Sequence, residues 1–149
     1  MQPVFEKLNL KDTRQIVVLN APESFEPELA GLHDVKITRS LEGVGEIEFS
    51  LAFVTKQADV DRLGKAIGKK TNGDAVVWFA YPKGTSKKYK SEINRDNGWG
   101  VMGAAGFEPV RAVAIDEDWS AVRFRRAVFI KTLKRDSKHR MSAEGKAKK

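Results

Sequence analysis

The residues of this chain with chemistry to offer are few, and they fall where apolar runs end: Asn20, Thr55, Lys83, Ser86, Asp116 and Trp119. Lys83-Gly84-Thr85-Ser86-Lys87 follows the apolar run 75–82 and gathers ammonium and hydroxyl groups that could hold an anion. It reads either as an anion-binding loop or as a solvated loop whose lysines solubilise a strand end. The glycine frame of a Walker phosphate loop is missing from it. Asp116-Glu117-Asp118 could pair carboxylates for acid–base work or hold a divalent cation. The preferred reading is a hairpin turn, because Asp side chains there mimic backbone hydrogen bonding. Trp119, directly after it, is either a lid on the core or a stacking surface.

Other chemistries are excluded by composition or by position. There is no cysteine, so disulfides, thiolate nucleophiles and cysteine metal sites are all absent. With only His33 and His139, neither a Ser-His-Asp triad nor a histidine metal cluster can be built, and no metal site or catalytic residue is assigned. A Gly-x-Ser-x-Gly nucleophile elbow is also lacking. Gly98-Trp99-Gly100-Val101-Met102-Gly103 satisfies G-x-G-x-x-G literally. That fingerprint binds a dinucleotide only between a strand and the helix it opens. Residues 90–97 are polar and helical in character, so the glycines read as places where a helix packs closely on the sheet. The first strand-to-helix turn, Leu19-Asn20-Ala21-Pro22-Glu23-Ser24, has no glycine. The second strand ends in Thr38-Arg39, where a carboxylate would be needed to hold ribose hydroxyls. S-adenosylmethionine and NAD are therefore not expected, and no cofactor is assigned.

The elements that must position these residues follow from pattern. Residues 15–20 form a β-rich apolar run, the kind covered on both faces. Pro22 and Glu23 open a helix-like stretch with Phe25, Leu29 and Leu32 on one face, and residues 34–39 form a second strand. A third strand is expected over 47–54. Thr55 is the expected N-cap of a helix carrying Val60, Leu63, Ala66 and Ile67 and stopping near Asn72-Gly73. Residues 75–82 supply the fourth strand. A helix beginning near Ser91, with Ile93, Met102 and Ala105 facing inward, leads to Gly106. Strands at 110–115 and 122–128 close the chain as an antiparallel hairpin. The alternation of strand and helix predicts an α/β fold in three layers, a Rossmann-like, mostly parallel sheet of about six strands ending in that hairpin.

At 149 residues, 41% hydrophobic and 32% charged, the chain reads as one soluble domain spanning 1–130. The net charge of +7 is unevenly spread. Of 27 basic and 20 acidic residues, eight and two lie in 131–149, leaving 19 and 18 on the rest. Residues 131–149 are therefore expected to be a basic, disordered tail, either a solubilising end or an arm for weak, non-specific nucleic-acid contact. No run approaches a membrane span, and residues 1–12 lack a signal-peptide pattern, so a cytoplasmic protein is expected.

Ile16-Val17-Val18-Leu19-Asn20-Ala21-Pro22 with Phe25, Phe53-Val54-Thr55, Trp78-Phe79-Ala80-Tyr81-Pro82-Lys83 with Ser86, Gly106-Phe107, and Asp116-Glu117-Asp118-Trp119-Ser120 with Arg123-Phe124 together resemble a family of small bacterial proteins of unknown function. The resemblance runs through most of residues 8–127 and implies a reduced, methyltransferase-like Rossmann domain without an assigned reaction. It also implies that Asn20, Thr55, Lys83, Ser86, Asp116 and Trp119 share one rim, with the Lys83 loop facing Asn20 on one side and Asp116 and Trp119 on the other. The expected function is a non-catalytic binding or regulatory domain for a small anionic ligand or a protein partner. The alternatives are an enzyme acting on a nucleotide or other phosphate-bearing molecule, with Asp116 as base, and a nucleic-acid accessory protein acting through the tail.

Overall fold

The computed structural model describes residues 3–10, 13–93 and 98–130; the expected basic tail lies outside the described residues. Gln15–Leu19 (β1), Lys36–Thr38 (β2), Ile47–Phe53 (β3), Thr71–Pro82 (β4), Phe107–Ala114 (β5) and Trp119–Arg126 (β6) form one sheet in the order β2-β1-β3-β4-β6-β5. β1 pairs in parallel with β2 and β3, and β3 with β4. β6 runs antiparallel to both β4 and β5, so the mostly parallel sheet ends in an antiparallel hairpin.

The central strands are apolar on both faces because both faces are covered. Ile16, Val18, Phe49, Leu51, Phe53, Trp78 and Ala80 point to one side. There they meet the helix Pro3–Lys7 (α1), with Val4 and Phe5, and the 3-10 turn Glu23–Phe25 leading into Glu26–Ala30 (α2), with Phe25 and Leu29. Val17, Leu19, Ala52, Val77, Phe79 and Tyr81 point to the other. That side is closed by Gln57–Lys70 (α3) through Val60, Leu63 and Ile67, and by Gly100–Ala104 (α4) through Met102. The three-residue and four-residue spacing of the α3 set places one stripe on the sheet. Trp78, at the centre, donates its indole N–H to the carbonyl of Leu8 at 2.7 Å and so fastens α1 to β4.

Several boundaries differ from the pattern-based expectation, each for a local reason. α3 runs only to Lys70, because the chain is already extended as β4 at Thr71. Thr55 does not cap α3. Lys56 holds the N-cap position without a side-chain bond, and the cap comes from Glu92, whose Oε1 accepts the Gln57 N–H at 2.9 Å. No helix starts at Ser91. Its hydroxyl instead folds a tight turn, accepting the N–H of Ile93 at 3.1 Å and donating to that residue's carbonyl at 2.7 Å, and α4 begins only at Gly100. β2 is confined to three residues because Asp34, with φ +59°, interrupts extended chain before it.

The G-x-G-x-x-G glycines serve packing. Gly98 has φ +100°, and a Cβ there would lie 2.3 Å from Ile93. Its carbonyl accepts the Gln57 side-chain N–H at 2.8 Å, joining the entry of α4 to α3. β4 ends at Pro82, and among the described residues no strand lies between it and this motif.

Candidate functional site

Parallel strands that end together give the sheet a carboxyl edge, and the chain emerging there carries the six candidate residues. Asn20 follows β1, Thr55 follows β3 and Lys83 follows β4. Trp119 opens the antiparallel β6 opposite Pro82, which brings the turn 115–118 to the same edge. The strand order fixes the sequence along the rim as Asn20, Thr55, Lys83, then Asp116 and Trp119. Lys83 therefore neighbours Thr55 and Trp119. It does not face Asn20 as expected, because β3 stands between β1 and β4. Asn20 adopts φ +59°, a left-handed conformation that asparagine tolerates, and its side-chain N–H points to the Phe53 carbonyl at 3.4 Å.

The loop after β4 is held by its own polar groups. Lys83 N–H donates to the Asp118 carbonyl at 2.8 Å. Ser86 Oγ donates to Asp118 Oδ1 at 2.8 Å and accepts the backbone N–H groups of Lys88 and Tyr89 at 3.3 and 3.1 Å. Asp116 Oδ1 accepts the N–H groups of Asp118 and Trp119 at 2.8 and 2.9 Å, the bonding of an Asp turn. The two aspartates divide the work: Asp116 shapes the hairpin and Asp118 ties it to the loop. Further along, Glu92 N–H donates to the Thr55 carbonyl at 2.9 Å, so residues 83–93 cross the rim from β4 back to the start of α3.

Beneath this crossing lies an aromatic row. Trp119 is only 3% exposed and meets Phe53 edge-on at 5.1 Å and Tyr89 at 5.0 Å. Phe53 continues to Phe25 at 5.0 Å, and Phe25 to Phe5 at 5.7 Å. Trp119 thus belongs to the core rather than to an open stacking surface, although its buried indole N–H has no partner among the described residues. What the rim offers to solvent includes Asn20, the exposed Lys87 and Lys88, the half-buried Lys83 and, from the hairpin turn, the exposed Glu117.

The ends of β1 and β2 decide what a nucleotide cofactor would meet. The turn from β1 is Asn20-Ala21-Pro22, and Pro22 is extended at φ −70°, ψ 158°. Past β2, both terminal nitrogens of Arg39 bind Glu26 of α2, at 2.7 and 2.8 Å. The guanidinium holds the Glu26 carboxyl below its ordinary range, chiefly through this hydrogen bond. The position where a carboxylate would accept ribose hydroxyls presents a cation, and the nearest carboxylate is already spent on it. These residues do not fit S-adenosylmethionine or a dinucleotide. Among the described residues there is also no group of three His, Cys, Asp or Glu side chains able to hold a metal ion. A cavity of about 460 Å³ lined by Arg14, Gln15, Glu46 and Glu48 sits at the amino ends of β1 and β3, the edge opposite the rim. No helix of the described residues is long and apolar enough to cross a membrane.

Sequence reasoning missed the partners Glu26, Tyr89 and Glu92, and it named Asp118 only within the acidic triplet, without its bonds to Ser86 and Lys83.

The chain matches no protein-family model and no curated protein. Solved structures similar to it include a SAM-dependent methyltransferase from Aquifex aeolicus, with TM-score 0.51 and 11% identity over 83% of this chain and 87% of that one. Magnesium protoporphyrin IX methyltransferase from Synechocystis PCC 6803, with bound SAH, gives a TM-score of 0.53 and 8% identity over 83% and 78%. The fibrillarin pre-rRNA processing protein of Methanococcus jannaschii gives 0.51 and 11% over 85% and 69%. Identities this low speak for the fold alone, and the six-stranded sheet with its terminal antiparallel hairpin is a methyltransferase-like Rossmann fold.

Proposed function

We propose that this chain is a non-catalytic binding domain that has kept a methyltransferase-like sheet without the cofactor chemistry, and that its lysine-bearing rim receives a small anionic ligand. The observation that carries this reading is the Arg39–Glu26 pair beside the end of β2. A fold can outlast one activity and host another, so function has to be argued from the site. At the rim, the hydroxyl of Ser86 and the carboxylate of Asp116 are engaged in holding the loop and the turn. Asp116 is thus a turn former first, which lowers the support for a phosphate-directed enzyme with Asp116 as base. Lys83, Lys87 and Lys88 remain as the cations an anion would meet, against the exposed carboxylate of Glu117 in the hairpin turn.

Methyl transfer is the second reading, favoured by the fold of the solved structures that are SAM-dependent methyltransferases or carry SAH. One titration separates the two. Thermal unfolding of the full chain is followed with S-adenosylmethionine, SAH, NAD, ATP and inorganic phosphate, since any ligand that prefers the folded state raises Tm. No shift with the first three, and a shift with ATP or phosphate that Lys83→Ala removes, is the expected result. A saturable rise in Tm with S-adenosylmethionine sinks the proposal in favour of methyl transfer. An anion-induced shift untouched by Lys83→Ala removes the rim from it.

A further inference from the structure

The hairpin carries a row of arginines that the rim does not use. Along β6, Trp119 and Ala121 belong to the face shared with α1 and α2, and alternation places Arg123 and Arg125 on that face too. Arg111 of β5 is the cross-strand partner of Arg123. Three arginines therefore share one face, Arg123 and Arg125 along β6 and Arg111 across from Arg123, with backbone positions roughly 5–7 Å apart.

Their partners are unequal. Arg125 is held by Asp74, with Nε to Oδ1 at 2.8 Å and a terminal nitrogen to Oδ2 at 2.6 Å. The other carboxylate on this face is the buried Glu108, opposite Arg125 in the ladder. Arg111 is exposed and Arg123 half-buried, and neither has an ion pair or hydrogen bond among the described residues. Arg123 Nε is buried and lacks an acceptor. Burial pushes the Arg123 pKa down, and the charges of Arg125 and Arg111 push it further against a partial counterweight from Asp74. Arg126, on the opposite face, shows what a structural arginine looks like here. It donates to the carbonyls of Gly68 and Thr71 and to the Thr71 hydroxyl, and covers the Phe107 ring at 4.7 Å. A half-buried guanidinium without such acceptors leaves a desolvation cost that an external anion would offset.

We infer that the face formed by Arg111, Arg123 and Arg125 binds the phosphodiester backbone of nucleic acid. The guanidinium fork matches phosphate oxygens, and three such groups spread over two strands of one sheet face, two along β6 and one across from it on β5, offer separate contacts to successive phosphates instead of a closed ring around a single anion. The sequence adds eight Lys or Arg residues in 131–149, shortly after β6, and so supplies further phosphate-neutralising charge to the same partner. Contacts of this kind position a polymer and carry no base sequence.

The test is fluorescence anisotropy of the full chain with labelled single-stranded and duplex DNA and RNA over a series of KCl concentrations. Arg111→Glu is the main variant because Arg111 is exposed, and its folding is checked by thermal unfolding. Arg123→Gln is the second, and Arg62→Glu on the exposed side of α3 is the charge-matched control. The expected result is at least a tenfold loss of affinity with Arg111→Glu, a salt slope shallower by about one, and a change under threefold with Arg62→Glu. Equal affinity of Arg111→Glu and the unaltered chain overturns the inference, as does an equal loss with Arg62→Glu. Tight binding of pyrophosphate without binding of any polynucleotide at 150 mM KCl overturns it in favour of a small anion. None of these outcomes depends on Lys83 or on the rim.

Discussion

Trp119 concentrates the packing of the rim on one side chain. It lies between Phe53 and Tyr89 and is 3% exposed, so Trp119→Ala should cost about 3–5 kcal/mol in urea unfolding, the range for removing a large buried aromatic. Trp119→Phe should cost distinctly less, because it keeps an aromatic ring and also removes the unpartnered indole N–H. Gly98→Ala should destabilise by about 1–3 kcal/mol, since it adds a Cβ 2.3 Å from Ile93 at a residue with φ +100°. Near-neutral behaviour in the same assay would mean that the Gly98 turn relaxes freely. The Asp74–Arg125 pair sets a pH dependence. Arg125 lowers the Asp74 pKa in the folded state, so the pair stabilises fully above the ordinary carboxylate value, roughly pH 4, and that contribution fades as pH falls below it. Asp74→Asn should therefore cost about 1 kcal/mol or less at pH 7, the pair being partly exposed, and progressively less as pH falls through the lowered Asp74 value. At this scale the sequence revealed what is local. The acidic triplet reads as a turn because Asp bonding to backbone two residues on is a short-range habit. The Ser86–Asp118 and Arg39–Glu26 bonds are illegible in it, because strand pairing and helix placement bring those partners together.

The segment 83–93 is the element on which the rim depends. It has no regular secondary structure, yet it is fixed at its start by Asp118, in the middle by Tyr89 on Trp119, and at its end by Glu92 on Thr55 and Gln57. Glu92→Ala should lower stability by about 0.5–2 kcal/mol, as loss of a helix N-cap does. It should also speed hydrogen exchange at Gln57 while leaving β1 and β3 unchanged. Slow exchange at Gln57 in the variant would show that another group caps α3. Long periodic elements were legible: Val60, Leu63 and Ile67 announce α3, and the apolar runs announce β1, β3 and β4. α4 was legible in part. A helix with Met102 and Ala105 facing inward before Gly106 was expected, but its start was not readable, because five residues including two glycines give no period. Its place is set by Gly64, where an added Cβ would meet Val101 at 2.8 Å. The arginine row had a signal that went unused, the two-residue alternation of Trp119, Ala121, Arg123 and Arg125.

Across the whole molecule, strand order grades the stability. β3 and β4 lie between other strands and under both helical layers, whereas β2 is three residues long at one edge and β5 forms the other. Native-state hydrogen exchange should be slowest in β3 and β4 and fastest in β2 and β5, and equal protection throughout would mean that the sheet opens only as a unit. The fold class was readable from alternation alone, but the neighbours along the rim were not, since the sequence does not say in which order the strands lie in the sheet, and it is β3 that separates β1, which carries Asn20, from β4, which carries Lys83. The three tryptophans divide this architecture among themselves. Trp78 sits in the layer with α1 and α2, Trp99 in the layer with α3 and α4, and Trp119 at the rim. Each is buried, so the chain contains its own set of fluorophores, one for each region. Variants that retain a single indole would give separate optical readouts: a ligand that settles on the rim should perturb the emission of Trp119 while the spectra of Trp78 and Trp99 stay constant.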